Sequence, residues 1–182
     1  MKSISNISLF LVHAVLITIS LLSHCSSVVR CDENLIEQTC RKTPHPALCI
    51  SSLKSDPQSS TADLKGLAVI MIYVVKAKAG ETSQVIREQL KTKPELKLAL
   101  INCDHNYDDI LIAYIPSSIQ AVQLGDPEFG ETGMAFAAIE ARSCENGFGG
   151  KSTITSANQF VHDTSSIASA IAKQLVPYNN KQ

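Results

Sequence analysis

The placement of the cysteines restricts this chain more than any other feature. Six are present, and the first two, Cys25 and Cys31, lie in or beside an N-terminal stretch that reads as a secretory leader. The other four, Cys40, Cys49, Cys103 and Cys144, form an even set in a chain bound for an oxidising compartment, where two disulfides are the expected outcome. Four cysteines allow three pairings. Pro44 and Pro46 stand between Cys40 and Cys49, which are nine positions apart, so that pair makes a natural hairpin clip and leaves Cys103 for Cys144. On a chain-entropy account, closing the longer loop of about 40 residues removes unfolded-state freedom equivalent to roughly 4 kcal/mol, and the short clip somewhat less than about 3 kcal/mol. Zinc is the rival use of such thiols. No pair shows the Cys-x2-Cys or His-x3-His spacing that brings ligands together, so no metal and no cofactor is expected.

The leader itself consists of Lys2 followed by an apolar run from Ile7 to Leu22, broken only by Ser8, His13, Thr18 and Ser20. Its apolar core falls short of the roughly 18 residues an anchor helix needs. Small residues fit a cut after Ser27 or, favoured here, after Cys31, which makes residues 1–31 the leader and leaves Asp32 first. The earlier cut would leave Cys31 as an unpaired thiol and hint at a covalent dimer. Removing residues 1–31 from the 182 leaves 151, enough for one domain, expected over residues 32–178, with the polar tail 179–182 fraying. Losing Lys2 and Arg30 from 16 basic residues, against 17 acidic, gives a formal charge of −3, which argues against a nucleic-acid partner. Tryptophan is absent and aromatics are 5% of the chain, which disfavours a platform for stacking sugars or bases. The one Asn-x-Ser/Thr acceptor, Asn6, falls inside the leader.

Periodicity points to helices throughout. Leu35, Ile36, Leu48 and Ile50 flank the proline turn as two short helical pieces with Cys40 and Cys49 facing across. After the turn-like Asp56-Pro57, the residues Thr61, Asp63 and Leu64 open a helix whose stripe runs Leu64, Leu67, Met71, Val74, Lys78, widened by Ala68 and Val75, to about Lys91. Pro94 restarts the chain, and Leu96, Leu100, Cys103, Tyr107, Ile110, Leu111 and Tyr114 keep one face apolar until Pro116, which is expected to kink or interrupt it. Ile119, Val122 and Leu124 continue to a stop at Gly125-Asp126-Pro127. Phe129 to Glu145 places Met134, Ala137, Ala138, Ala141 and Cys144 on one narrow face and ends at Gly147, Gly149 and Gly150. A last helix from about Ser156 repeats Ala157, Val161, Thr164, Ala168, Ile171 and Leu175 until Pro177. Four long helices on short turns predict an all-α, up-and-down four-helix bundle with an N-terminal helical hairpin. The β-branched runs Val69 to Val75 and Ile110 to Ile115 sit inside these helical patterns.

Catalysis needs a nucleophile, a base and an electrostatic stabiliser that converge, and no such motif is found. His45 lies in the proline turn, while His105 and His162 sit beside Asp104 and Asp163, sequence neighbours expected on different helical faces. Asp104 and Asp108 are close enough on a helix to share a cation, but a solvated acidic face is the expected arrangement. Gly147-x-Gly149-Gly150 follows a helix instead of a strand, so it reads as a cap and not as a phosphate loop. The residues themselves lead to a secreted helical binding module, not an enzyme, with the partner unnamed.

Several local matches go further. Asn34-Leu35-Ile36, Thr39-Cys40, Leu48-Cys49, the run Ala62-Asp63-Leu64-Lys65-Gly66-Leu67-Ala68, and Cys144-Glu145 with Phe148 resemble signatures of the plant invertase inhibitors and pectin methylesterase inhibitors. The resemblance spans essentially the whole chain after the leader. It implies a four-helix bundle with an N-terminal hairpin, secretion to the apoplast and cell wall or delivery to the vacuole, and inhibition of an enzyme by a one-to-one complex. Asp126, Pro127, Glu128 and Phe129 resemble the inhibitory segment of the branch that acts on acid invertase (β-fructofuranosidase), in which a Pro-Lys-Phe sequence enters the target's acidic cleft. Residues alone allow a different reading, a helix-helix turn in which Pro127 starts a helix and Phe129 packs locally. Glu128 stands where that branch carries lysine, and a carboxylate entering a cluster of carboxylates is repelled unless a proton makes it a donor. The second function class is therefore a pectin methylesterase inhibitor that binds through its long helices, and a third is a secreted helical module with no enzyme target.

Overall fold

The computed structural model describes residues 35–177. The leader 1–31 with Cys25, Cys31 and Asn6, the matched Asn34, and the tail 179–182 lie outside the described residues. Within that span the structure is helical, with no strand.

The hairpin comes first. Residues 35–40 form a helical piece (α1), and α2 runs Pro46–Lys54 after the proline turn. Cys40 and Cys49 are joined across it with Cα atoms 5.5 Å apart, and both are fully buried with Ile36 and Leu53. Gln174 Nε2 donates to Thr39 O at 3.1 Å and so fixes the hairpin to the end of the chain.

A short 3-10 segment, Pro57–Thr61, then leads to α3, Leu64–Thr92. Asp63 caps that helix, its carboxylate accepting from Gly66 N at 2.7 Å, as an N-cap aspartate should. The expected stripe is buried at Leu67, Ala68, Met71 and Val75, and burial continues through Ala79, Thr82, Ser83 and Ile86. A 3-10 turn at Pro94–Leu96 restarts the chain into α4, Lys97–Asp108.

Pro116 acts one step earlier than its position suggests. It has no N–H and its ring crowds the carbonyl four residues back. The chain widens into a π-helical segment over Asp109–Tyr114, after which α5, Ile115–Leu124, begins with the proline in its first turn. Ser117 Oγ donates to Ala113 O at 2.7 Å across this junction. The rod α4–π–α5 therefore runs on without a break.

Two long helices complete the bundle: α6, Pro127–Gly147, and α7, Thr155–Gln174. Helix α3 packs on α7 and on the α4–α5 rod, and α6 packs on that rod and on α7, which closes the up-and-down arrangement. Met134, Ala137, Ala138, Ala141 and Cys144 all face the core, as their spacing predicts. Leu124 does not: it is 77% exposed at the end of α5. Gly149 and Gly150 take φ of +55° and +83°, a left-handed pair that turns the chain from α6 toward α7.

At the far end of the α4–α6 pair, Cys103 and Cys144 are bonded with Cα atoms 4.6 Å apart. Beside them the fully buried Tyr107 hydroxyl donates to Asn158 Oδ1 at 2.8 Å, and Asn158 Nδ2 donates to Glu145 Oε2 at 2.7 Å. Thr155 Oγ1 donates to the other Glu145 oxygen at 2.6 Å. Burial pushes Glu145 up, yet hydrogen bonds from Thr155, Asn158 and Ser152 outweigh it and hold the carboxyl below its usual range. Asp104 and Asp108 lie at the solvated surface, as expected, but they are not unpaired. They share the Arg87 guanidinium of α3, at 2.9 and 2.5 Å, because the bundle brings α3 against α4.

Candidate functional site

The segment Asp126 to Phe129 joins α5 to α6. Gly125 takes φ +90°, a left-handed cap that favours glycine, and Asp126 N donates back to Ala121 O at 2.8 Å. Pro127 then occupies the first turn of α6, and the Asp126 carboxylate accepts from Phe129 N at 3.1 Å. The turn is thus closed at both ends by backbone and side-chain bonds. Pro127 does start a helix. Phe129 does not pack locally: it is 56% exposed, with Leu124 exposed on the other side of the turn and Glu128 exposed between them.

Close packing of α6 glycines on α5 side chains fixes the direction of the turn. A Cβ built on Gly130 would come within 2.5 Å of Val122 Cγ2, and one on Gly133 would fall on Ser118 Oγ, so α5 and α6 cross with no space for a methyl group. Glu131 accepts from Lys173 Nζ at 2.7 Å and braces the first turns of α6 against α7. Below the turn the outer face of α6 carries Phe136 and Ile139, both exposed, seven and ten positions beyond Phe129 on one helical stripe. Phe136 stacks on Tyr114 of the π segment, ring centroids 5.7 Å apart. The stripe also bears Glu140, whose carboxyl is held above its usual range by burial and then by repulsion from Asp109. The spacing of Phe129, Phe136 and Ile139 was readable in sequence, but their exposure was not.

The histidines are more engaged than sequence neighbours on different faces would be. His162 Nδ1 lies 2.8 Å from Asp163 Oδ1, and His45 Nε2 reaches the same oxygen at 3.3 Å from the hairpin. Gln159 Nε2 donates to it at 2.7 Å, while the Arg142 guanidinium abuts His162 Nε2. Burial pushes the Asp163 carboxyl up, but the Gln159 and His162 hydrogen bonds and the two imidazole charges outweigh it, and it sits below its usual range. His45 is thereby a link between hairpin and bundle. Sequence adjacency misled because a side chain folding back along the helix can still meet its neighbour.

Among the described residues, no group of three or more His, Cys, Asp or Glu side chains is arranged to hold a metal ion. No described helix is long and apolar enough to cross a membrane. A disulfide-clamped bundle that offers an exposed phenylalanine on a fixed turn is built as a helical binding module. The chain belongs to the plant invertase/pectin methylesterase inhibitor family, whose model matches residues 34–171. It is 43% identical over 138 residues to "Cell wall / vacuolar inhibitor of fructosidase 1" of Arabidopsis thaliana, covering 76% of this chain and 67% of that protein. It is 35% identical over 142 residues to "Pectinesterase inhibitor" of Actinidia deliciosa, covering 77% and 76%. The fold matches the crystal structure of a mutant form of an Arabidopsis pectin methylesterase inhibitor with a TM-score of 0.66 at 20% identity, over 75% of this chain and 94% of that one.

Proposed function

We propose that this protein is a secreted inhibitor of plant acid invertase that acts by one-to-one complex formation in the apoplast and cell wall, or in the vacuole, and performs no chemistry itself. The observation that carries this reading is Phe129, a large apolar side chain left 56% exposed on a turn fixed by Gly125 and Asp126. A preformed turn loses little freedom on docking, and a rigid aromatic anchor is the usual centre of a binding surface. The likeness to the fructosidase inhibitor supports an invertase as the partner. Asp126, Pro127, Glu128 and Phe129 form the contact segment.

Glu128 favours a second reading, inhibition of a pectin methylesterase through the faces of the long helices, in which the turn is only a turn. Adding the purified chain to an acid invertase and, separately, to a pectin methylesterase distinguishes the two by which activity falls. If invertase is the target, the Glu128 carboxylate meets an acidic cleft with charge of the same sign, which weakens docking. Glu128→Lys then strengthens inhibition. Equal inhibition by both forms would remove the role given to Glu128.

A further inference from the structure

One cleft is lined in part by polar side chains that no other contact uses. It is an open cleft of about 470 Å³ between the 3-10 segment, the start of α3 and Gln123 near the end of α5. Its floor is apolar, formed by Gly66, Val69 and Ile70. Gln58, Asp63, Lys65, Tyr73 and Gln123 surround that floor. Asp63 uses Oδ1 to cap α3, leaving its second oxygen available. The side chains of Gln58, Lys65 and Gln123 make no hydrogen bond or ion pair with another described residue. Lys76 Nζ stands 5.9 Å from the Tyr73 ring centroid and brings a second ammonium beside that wall.

The mixture of groups narrows the ligand. A purely apolar ligand would desolvate five polar side chains without pairing them, which is costly. A small inorganic anion would leave the apolar groups of the cleft uncovered. Two amides and a carboxylate suit hydroxyl groups, which both donate and accept. An ammonium suits one carboxylate, and a floor of aliphatic groups beside one phenol ring suits the C–H face of a ring. A single aromatic wall also fits a chain with too few aromatics for a stacking platform.

We propose that this cleft binds a uronate-bearing saccharide. Its carboxylate pairs with Lys65, its hydroxyls with Gln58, Gln123 and Asp63, and its C–H face lies on Tyr73 and Val69. The same unit can come from the end of a free oligosaccharide or from within an acidic polysaccharide.

The test needs no target enzyme, so its outcome is independent of the role given to the Asp126 to Phe129 turn. The oxidised, secreted chain is labelled with 15N and titrated with α-1,4-linked trigalacturonate, with its methyl ester and with maltotriose. The expected result is saturable shifts confined to residues 58–73 and Gln123. The ester should bind roughly ten-fold more weakly, the cost of one charge-assisted hydrogen bond. Lys65→Gln, a change at an exposed position, should reproduce that loss for the acid and leave the ester unaffected. Retention of the wild-type chain on immobilised polygalacturonate, lost in Lys65→Gln, assigns internal units; binding of the trimer without retention assigns chain ends. Absence of saturable shifts at these residues, or equal affinity for acid, ester and maltotriose, overturns the proposal.

Discussion

The two ends of the α5–α6 and α4–α6 pairing are held by opposite means. At one end Cys103 and Cys144 are covalently joined beside the Tyr107–Asn158–Glu145 hydrogen bonds, and the side chains that matter are buried. At the other, Gly125 caps α5, Gly130 and Gly133 seat α6 directly on Val122 and Ser118 of α5, and Phe129 and Leu124 are left in solvent. The first end resists unfolding and offers little to a partner. The second leaves apolar surface outside the core, where the proposed function puts the contact with a target. On that reading stability and recognition are largely separable by position.

The largest separation should come from Cys103→Ser with Cys144→Ser. Releasing a loop of about 40 residues costs roughly 4 kcal/mol on the entropic account, read as a fall in the urea midpoint, while any chain still folded inhibits normally. Gly133→Val belongs to both ends of the comparison. Forcing a side chain onto Ser118 should cost about 1–3 kcal/mol of stability and also lower inhibition, because α6 must move away from α5. Phe129→Ala should do the reverse of the disulfide change, weakening inhibition by about 2 kcal/mol, roughly 30-fold, with the denaturation midpoint unmoved. If the midpoint falls and inhibition holds, the roles assigned to the two ends are wrong. Asp126→Ala removes the cap bond to Phe129 and should cost about 1 kcal/mol of stability with a smaller loss of inhibition.

The smallest effect is present near neutral pH and disappears in acid. Asp163 has a depressed carboxyl pKa in the folded chain, so its contribution is present above the ordinary aspartate range, near about pH 4, and is lost as pH falls through the folded value. Asp163→Asn should therefore be less stable than wild type at pH 6, and the two should converge at pH 2 in urea melts taken across that range. Parallel curves at all pH values would show that the His45–Asp163–His162 contact does not hold the hairpin in solution.

Much of this was legible in the residues. Pro44 and Pro46 between Cys40 and Cys49 announced the clip, and the spacing of Met134, Ala137, Ala138, Ala141 and Cys144 announced the buried face of α6, because helix periodicity and loop closure are local properties. Pro116 announced a disturbance, but its form depended on how the preceding turn could widen against α3 and α6. Leu124 fitted an apolar pattern yet lies outside the core, since α5 ends before that position meets a neighbour. The pairing of Arg87 with Asp104 and Asp108, and of His45 with Asp163, joins residues far apart in sequence. Periodicity has no access to such contacts; packing of helix on helix decides them.

The glycine crossing beneath the turn has an evolutionary consequence. Since Gly130 and Gly133 seat α6 on Val122 and Ser118, packing behind the α5–α6 junction sets the direction in which it projects, and the tip can exchange its side chains without altering where it points. A substitution such as Glu128 for lysine then changes the charge at the tip and leaves the mount untouched; if the tip is the contact segment proposed above, a chain built on this scaffold can change its target without changing its fold.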